Sequence, residues 1–366
     1  MLREEGRRTT NRKTTLPVRV GPITIGGGNP IVIQSMTNTD TKDVAGTIGQ
    51  ISCLRSAGCG AVRLALYDLE CVASLREIRK AIGEYPLIAD IHYDYRIALG
   101  AIQAGIDKVR LNPGNIGEGW KVKEVAKAAK EKGIPLRVGV NSGSLEKEYG
   151  HLPIEEALVA SALREVKLLE DAGMDRIVVA VKSSNVMDMV EASRRISNLV
   201  DYPLHLGVTE AGPLSVSLVK STLGIGLLLS EGIGDTIRYS ISGDPVKEVY
   251  AAKTLLTSAG LFTGPDIISC PTCARTCIDV EEYALTVIEL TKTCSKPLKI
   301  AIMGCVVNGV GEGKNADLGI AGIPNGGAIF EKGKIVGQYP KSELFSAFEE
   351  RVKRLAQENG GVTILQ

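Results

Sequence analysis

The chain is expected to fold as an α/β protein, a (β/α)8 TIM-type barrel followed by a small α+β domain. Three observations predict this. Eight apolar runs of strand length alternate with eight amphipathic runs of helical length over about 230 residues. Glycine punctuates the joins, at Ala57-Gly58, Ala104-Gly105, Lys132-Gly133 and Ala172-Gly173. The composition then changes at 261–265, and a cysteine cluster follows. A doubly wound open sheet is the alternative, but it rarely needs eight βα units.

Strands are expected at 31–35, 61–66, 87–91, 108–111, 136–140, 176–181, 204–208 and 236–241. Their helices are expected at 43–57, 70–82, 95–104, 120–132, 154–172, 186–200, 215–229 and 245–258. Residues 1–30 read as an N-terminal arm, with the Arg-rich 1–13 disordered, and 31–260 as the barrel. The second domain, 261–366, reads as a linker and cysteine cluster, a helix at 280–293, strands near 299–303, 318–321, 327–330 and 334–337, a charged helix at 342–359 and a last strand at 362–365.

Composition narrows the function. A net charge of +1 gives no global attraction to nucleic acid, and 4% aromatic residues with one Trp leave little for stacking on single strands. No apolar run approaches the ~18 residues of a membrane span. Eight cysteines in a chain this long, read without a secretory leader, point to thiols or metal chemistry in a reducing, cytoplasmic setting rather than to disulfides. Cys53, Cys59, Cys71 and Cys294 fall in or near helical segments and read as small hydrophobes.

In a barrel enzyme the active site lies at the C-terminal ends of the strands. There the sequence places Arg63, Asp90 and His92, Arg110 and Asn112, Arg137 and Asn141, Lys182, Thr209 and Glu210, and Arg238 and Ser240. Unpaired charges inside apolar runs are costly, so this convergence needs a partner. Four Arg, one Lys and one His form an anion site, and a diphosphate accounts for so many cations better than one phosphate. Glu210, an acid among cations, is placed to donate a proton. A single Arg at a strand end is more often in a structural ion pair; the convergence is what speaks for a site.

Cys270-Pro271-Thr272-Cys273 and Cys305, with Glu312 seven residues beyond, form an incomplete thiolate set. Such spacing suits an iron–sulfur cluster or structural zinc, and spacing alone does not separate them. By spacing, Cys277 is a better fourth ligand than Glu312. A thioredoxin-like CxxC would open a helix after a strand, whereas this pair reads as lying in a linker.

Longer motifs carry a resemblance. Ile33-Gln34-Ser35-Met36-Thr37-Asn38-Thr39-Asp40-Thr41, Arg110-Leu111-Asn112-Pro113-Gly114-Asn115, Gly139-Val140-Asn141-Ser142-Gly143-Ser144, Leu206-Gly207-Val208-Thr209-Glu210-Ala211-Gly212, Ser269-Cys270-Pro271-Thr272-Cys273 and Met303-Gly304-Cys305-Val306-Val307-Asn308-Gly309, through Gly311-Glu312, occur in one order. With them the chain resembles, nearly end to end, the 4-hydroxy-3-methylbut-2-enyl diphosphate synthase family of the non-mevalonate isoprenoid pathway, in its short bacterial form. The loop Leu66-Tyr67-Asp68-Leu69 departs from the usual family pattern.

The resemblance implies a [4Fe-4S] cluster on Cys270, Cys273, Cys305 and Glu312, and so favours Glu312 over Cys277. It implies reduction of 2-C-methyl-D-erythritol 2,4-cyclodiphosphate to (E)-4-hydroxy-3-methylbut-2-enyl diphosphate by two electrons from flavodoxin or ferredoxin. Arg63, Arg110, Asn112, Arg137, Asn141, Lys182, Arg238 and Ser240 would hold the diphosphate. Thr209 and Glu210 would face the carbon skeleton, Glu210 as proton donor, and His92 would line the pocket. Glu312 would be the displaceable ligand on the iron that meets a substrate oxygen. The C-terminal domain would be ferredoxin-like, and a homodimer would set the cluster domain of one subunit over the barrel of the other. Two other readings compete: a redox-inert phosphate-ester barrel with structural zinc, and a non-catalytic iron–sulfur electron carrier.

Overall fold

A computed structural model of the chain describes residues 12–111, 119–307, 311 and 315–358. The chain divides into two units, Met1–Leu261 and Phe262–Gln366.

The first unit begins with an antiparallel hairpin, β1 (Val18–Val20) and β2 (Ile23–Ile25). Its turn uses Gly21 at φ +56°, a conformation that L side chains rarely adopt. Val18, Val20 and Ile25 are buried together with Val178. This corrects the expected arm: the hairpin's apolar face packs into the barrel unit. Arg12 donates to the Asn29 carbonyl at 2.8 Å and to Asp235 at 3.1 Å, while Lys13 reaches the Val200 carbonyl at 2.7 Å, so these two residues are fastened down as well.

Eight parallel strands follow: β3 (Val32–Met36), β4 (Ala61–Ala65), β5 (Leu87–Ile91), β6 (Lys108–Leu111), β7 (Leu136–Asn141), β8 (Ile177–Lys182), β9 (His205–Leu206) and β10 (Thr236–Ile237). Their order is β8-β7-β6-β5-β4-β3-β10-β9, and a parallel bridge between Val179 and Leu204 joins the two ends. The sequence therefore closes into the expected (β/α)8 barrel. β9 and β10 are shorter than expected. At Gly207 the Arg238 carbonyl oxygen sits 2.6 Å from where a Cβ would stand, a close approach that only glycine permits.

The outer helices are α1 (Val44–Ala57), α2 (Leu69–Ile82), α3 (Tyr95–Gln103), α4 (Gly119–Lys132), α5 (Ile154–Asp171), α6 (Val186–Leu199), α7 (Leu214–Ser230) and α8 (Val246–Ser258). Short acceptors start several of them: Asp43 accepts from Gly46 N–H, Asp68 from Cys71 N–H and Asn185 from Met187 N–H. Short 3-10 turns at Ser142–Ser144 and Lys147–Tyr149 leave the end of β7.

The second unit is a five-stranded mixed sheet in the order β11 (Pro265–Ser269), β12 (Leu298–Met303), β13 (Leu318–Ile323), β14 (Gly326–Glu331) and β15 (Lys334–Pro340). β11 to β13 are parallel and β13 to β15 antiparallel. Helices α9 (Val280–Thr291) and α10 (Lys341–Glu358) contribute Tyr283, Val287, Leu344 and Phe348 to a core with Ile300, Ile320 and Ile329. The linker reading is corrected at β11, whose pairing with β12 recruits Pro265–Ser269 into the sheet. The strand expected at 362–365 lies outside the described residues. Among the described residues no helix is long and apolar enough to cross a membrane.

Candidate active site

Side chains alternate along a strand, so Lys108 and Arg110 share one face of β6, and Arg137, Gly139 and Asn141 share one face of β7. The arginines meet at Gly139: a Cβ there would lie 3.0 Å from Arg110 Nε and 3.4 Å from an Arg137 terminal nitrogen. A side chain at that position would displace the guanidinium pair, which gives this glycine a packing reason.

Asp90 organises one side of the mouth. Its Oδ1 accepts from Arg110 Nη1 at 3.0 Å, and its Oδ2 lies 3.7 Å from both Arg63 Nε and His92 Nε2. Arg110 Nη1 also donates to His92 Nε2 at 2.7 Å, and its Nη2 reaches the Gly139 carbonyl at 3.3 Å. Burial works to raise the Asp90 carboxyl, but Arg63, the His92 ring, Arg110 and Arg137 outweigh it and hold the group well below the usual carboxylate range. Arg63 Nε donates to Met36 Sδ at 3.1 Å, a contact with no charge to return.

Glu248 organises the other side from α8. Its two oxygens each accept from Arg238 at 3.2 Å, and it also takes Ser35 Oγ at 2.7 Å and Ile241 N–H at 3.1 Å. Against these two buried carboxylates stand five cations: Arg63, Arg110, Arg137, Lys182 and Arg238. Arg137 and Lys182 have no carboxylate partner among the described residues, and burial followed by the neighbouring arginines pushes both well down from their ordinary values. A guanidinium keeps its proton under that pressure, so what relieves Arg137 is an anion.

The remaining predicted residues are placed as follows. Asn141 and Ser240 are half-buried at their strand ends, and the Ser240 carbonyl accepts from Ser217 Oγ at 2.9 Å. Thr209 is half-buried and donates its N–H to the Ser183 carbonyl at 3.2 Å. Glu210 is exposed, with φ at +51°, a strained setting for a side-chain-bearing residue. The bond from Ser242 N–H to the Gly212 carbonyl, 3.0 Å, ties this loop to the end of the neighbouring strand. Asn112 and Glu312 lie outside the described residues. An open cleft of about 530 Å³ bordered by Arg19, Asp107, Lys132 and Arg176 lies at the opposite end of the barrel and contains none of these groups.

Sequence reading missed Glu248, Lys108 and His205. Glu248 sits on an outer helix, where an acid reads as solvated; Lys108 and His205 begin their strands, below the ends where a site is sought. All three are at most 2% exposed. His205 Nδ1 meets Thr236 Oγ1 at 3.3 Å, while burial first and then the cationic surroundings, Arg137 among them, drive the ring well below 6.5. The unfolded chain protonates this residue near 6.5 and the folded chain does not, so the unfolded state binds more protons below that pH. Stability is therefore expected to fall on acidification, by about 2 kcal/mol at ~pH 5. Thermal melts should show a shallower acid loss in His205→Gln; an identical slope would contradict this.

In the second unit, β11 and β12 end side by side and deliver the cysteines. Cys270 N–H donates to the Ile302 carbonyl at 3.1 Å, and Cys270 Sγ accepts from Gly304 N–H at 3.0 Å. Cys273 N–H is held by Thr276 Oγ1 at 2.9 Å, and Cys277 N–H by the Gly304 carbonyl at 2.8 Å, beside Cys305. All eight cysteines are free thiols. Three soft thiols on two adjacent loops, one already accepting a backbone N–H, suit an iron–sulfur cluster, whose sulfurs take such bonds. Among the described residues no group of three ligating side chains is drawn together as a finished metal cage. The CxxC pair follows a strand directly, which corrects its reading as part of a linker, but it opens no helix.

Comparison with known proteins assigns the family. The GcpE TIM-barrel domain matches residues 15–253, and the GcpE protein C-terminal domain matches residues 266–354. A protein of Caldanaerobacter subterraneus subsp. tengcongensis is 51% identical over 95% of this chain and 99% of its own length. One of Clostridium perfringens is 51% identical over 94% and 98%, and one of Bacillus subtilis 48% identical over 96% and 94%. Each is named 4-hydroxy-3-methylbut-2-en-1-yl diphosphate synthase (flavodoxin). Among solved structures, a type I 3-dehydroquinate dehydratase from Clostridium difficile matches with a TM-score of 0.50 and 16% identity, covering 67% of this chain and 98% of that one. That likeness is one of fold alone. Matched in both units and across nearly its whole length, the chain belongs to the GcpE family.

Proposed function

We propose that the chain catalyses the reductive opening of 2-C-methyl-D-erythritol 2,4-cyclodiphosphate to (E)-4-hydroxy-3-methylbut-2-enyl diphosphate, in the cytoplasm. The observation that carries this reading is the surplus of buried cations over carboxylates at the barrel mouth. Relatives named for a diphosphate-forming reaction support it. Residues 31–260 bind substrate, and 261–366 deliver electrons. The names of the relatives carry flavodoxin, and it or a ferredoxin serves here as the electron donor.

Arg110, fixed by Asp90, and Arg238, fixed by Glu248, are aimed before substrate arrives, so little ordering is left to do on binding. Arg137 carries unmet charge and gains most from the diphosphate, which also favours the protonated form of Lys182. Arg63, Asn112, Asn141 and Ser240 complete its cradle, with His92 at its edge. Thr209 and Glu210 face the carbon skeleton. Cleavage of the carbon–oxygen bond to phosphate and loss of the neighbouring hydroxyl as water leave a carbon–carbon double bond; Glu210 gives the departing hydroxyl its proton. Cys270, Cys273, Cys305 and Glu312 would hold a [4Fe-4S] cluster, which when bound would supply the two electrons one at a time.

The chain works as a homodimer, with the cluster unit of one subunit over the barrel of the other. Helix α7 supports an interface, since Val216, Val219 and Leu223 lie on one face and are 44%, 70% and 49% exposed. Val219→Glu with Leu223→Glu should convert dimer to monomer in sedimentation velocity; an unchanged dimer would remove this face from the account.

The catalytic test is anaerobic incubation of cluster-loaded protein with the cyclodiphosphate and reduced flavodoxin, followed by phosphorus NMR. The cyclic resonances should give way to those of a linear diphosphate, and Cys305→Ser should abolish the change. Iron-loaded protein that leaves the ring intact would overturn the proposal.

A further inference from the structure

Two residues before Arg110 on β6, Lys108 is fully buried at 0% exposure, and its Nζ has no hydrogen-bond partner among the described residues. It shares its strand face with Arg110, so it enters the barrel beneath the anion mouth. The charged and titratable groups that act on it from other strands are Arg137 and Arg63, and it acts in turn on the buried His205. A buried ammonium with no partner, among cations, is unfavourable by several kcal/mol, and shedding its proton relieves that. Burial, then Arg137 and Arg63, push the Lys108 ammonium well down from its ordinary value. Nothing in the reaction as described uses this residue.

We propose that Lys108 is a positioning residue for the diphosphate: uncharged in the empty barrel, and protonated once the diphosphate fills the mouth. This rests on the reading that the mouth binds the cyclic diphosphate. The chemistry gives the proton a use. The cyclic substrate is a dianion; with two electrons and one proton it yields the linear product, a trianion, and one water. The broken carbon–oxygen bond leaves its charge on a phosphate oxygen, and the consumed proton departs in the water. The proton on Lys108 is a different one. It stays on Nζ and meets the charge that ring opening adds, so the cation count rises only while the anion is there.

The test is isothermal titration of the cyclodiphosphate into anaerobic holoprotein, without reductant, in two buffers of different ionisation enthalpy at about pH 8, well above the range where the phosphodiesters or a free histidine titrate. Binding should take up protons, about one of them through Lys108. In Lys108→Met the uptake should fall by about one proton and affinity by about tenfold. The ligand-free melting temperature should stay level or rise, because an unpartnered polar group has been replaced by an apolar one. A buffer-independent enthalpy in the wild type would overturn the inference. So would undiminished uptake in Lys108→Met, which would move the proton to Lys182 or His205. Absence of any binding would overturn the substrate reading and this inference with it.

Discussion

Glu248→Ala is expected to remove about 3–5 kcal/mol of stability, the usual effect of breaking a buried ion pair from one side. Glu248 is 2% exposed and gathers Arg238, Ser35 and the Ile241 N–H in one place. Its removal strands a guanidinium among other cations, leaves the Ile241 N–H without its acceptor and leaves Ser35 only the longer bond to the Pro245 carbonyl, 3.3 Å. Urea or thermal unfolding reads this directly. Glu248→Gln separates the two contributions, since the amide oxygen can still accept from Ser35 or Ile241 but the charge facing Arg238 is gone. A stability unchanged in Glu248→Ala would mean that α8 does not organise the mouth.

Arg137→Met is expected to do the reverse. This guanidinium is 3% exposed, its Nε has no partner, and no carboxylate pairs with it among the described residues, Asp90 being engaged by Arg110. Replacing it with an apolar side chain relieves an unmet charge, so the ligand-free protein should melt at the same temperature or higher. Turnover should suffer greatly. A charged hydrogen-bonding contact to phosphate is worth roughly 2–4 kcal/mol, so kcat/KM should fall by about 30- to 1000-fold. Stabilisation by the cyclodiphosphate should shrink by a similar free energy. Loss of stability with activity spared would make Arg137 structural and take away the surplus charge on which the anion site rests. The two substitutions thus separate groups that build the site from the group that waits for substrate.

Much of this was legible in the sequence because barrel strands advertise themselves. An Arg or Lys inside a run of Val, Ile and Leu has to face the barrel or pay for its burial, so Arg63, Arg110, Arg137 and Lys182 could be placed at the mouth from spacing alone. What stayed hidden depends on three dimensions. Glu248 answers Arg238 across ten residues of turn and helix, and no periodicity tells such an acid from one on a wet face. The hairpin strands β1 and β2 are three residues each, too short for an alternation to register. β11 carries a proline and an aspartate and declares itself only through its pairing with β12. Lys108 looks like an ordinary strand-opening lysine until the barrel closes around it. For the cluster ligands, spacing favoured Cys277 over Glu312, and only the family motif argued otherwise; Cys277 is fixed beside Cys305 through the Gly304 carbonyl, close enough to explain the ambiguity.

Metal analysis and EPR of anaerobically purified protein, reduced with dithionite, with and without the cyclodiphosphate, test whether an iron–sulfur centre meets a diphosphate substrate. The expected result is brown protein carrying a four-iron cluster, with a reduced signal that changes when the cyclodiphosphate is added. Colourless protein with stoichiometric zinc, or a cluster signal indifferent to the substrate, would contradict it.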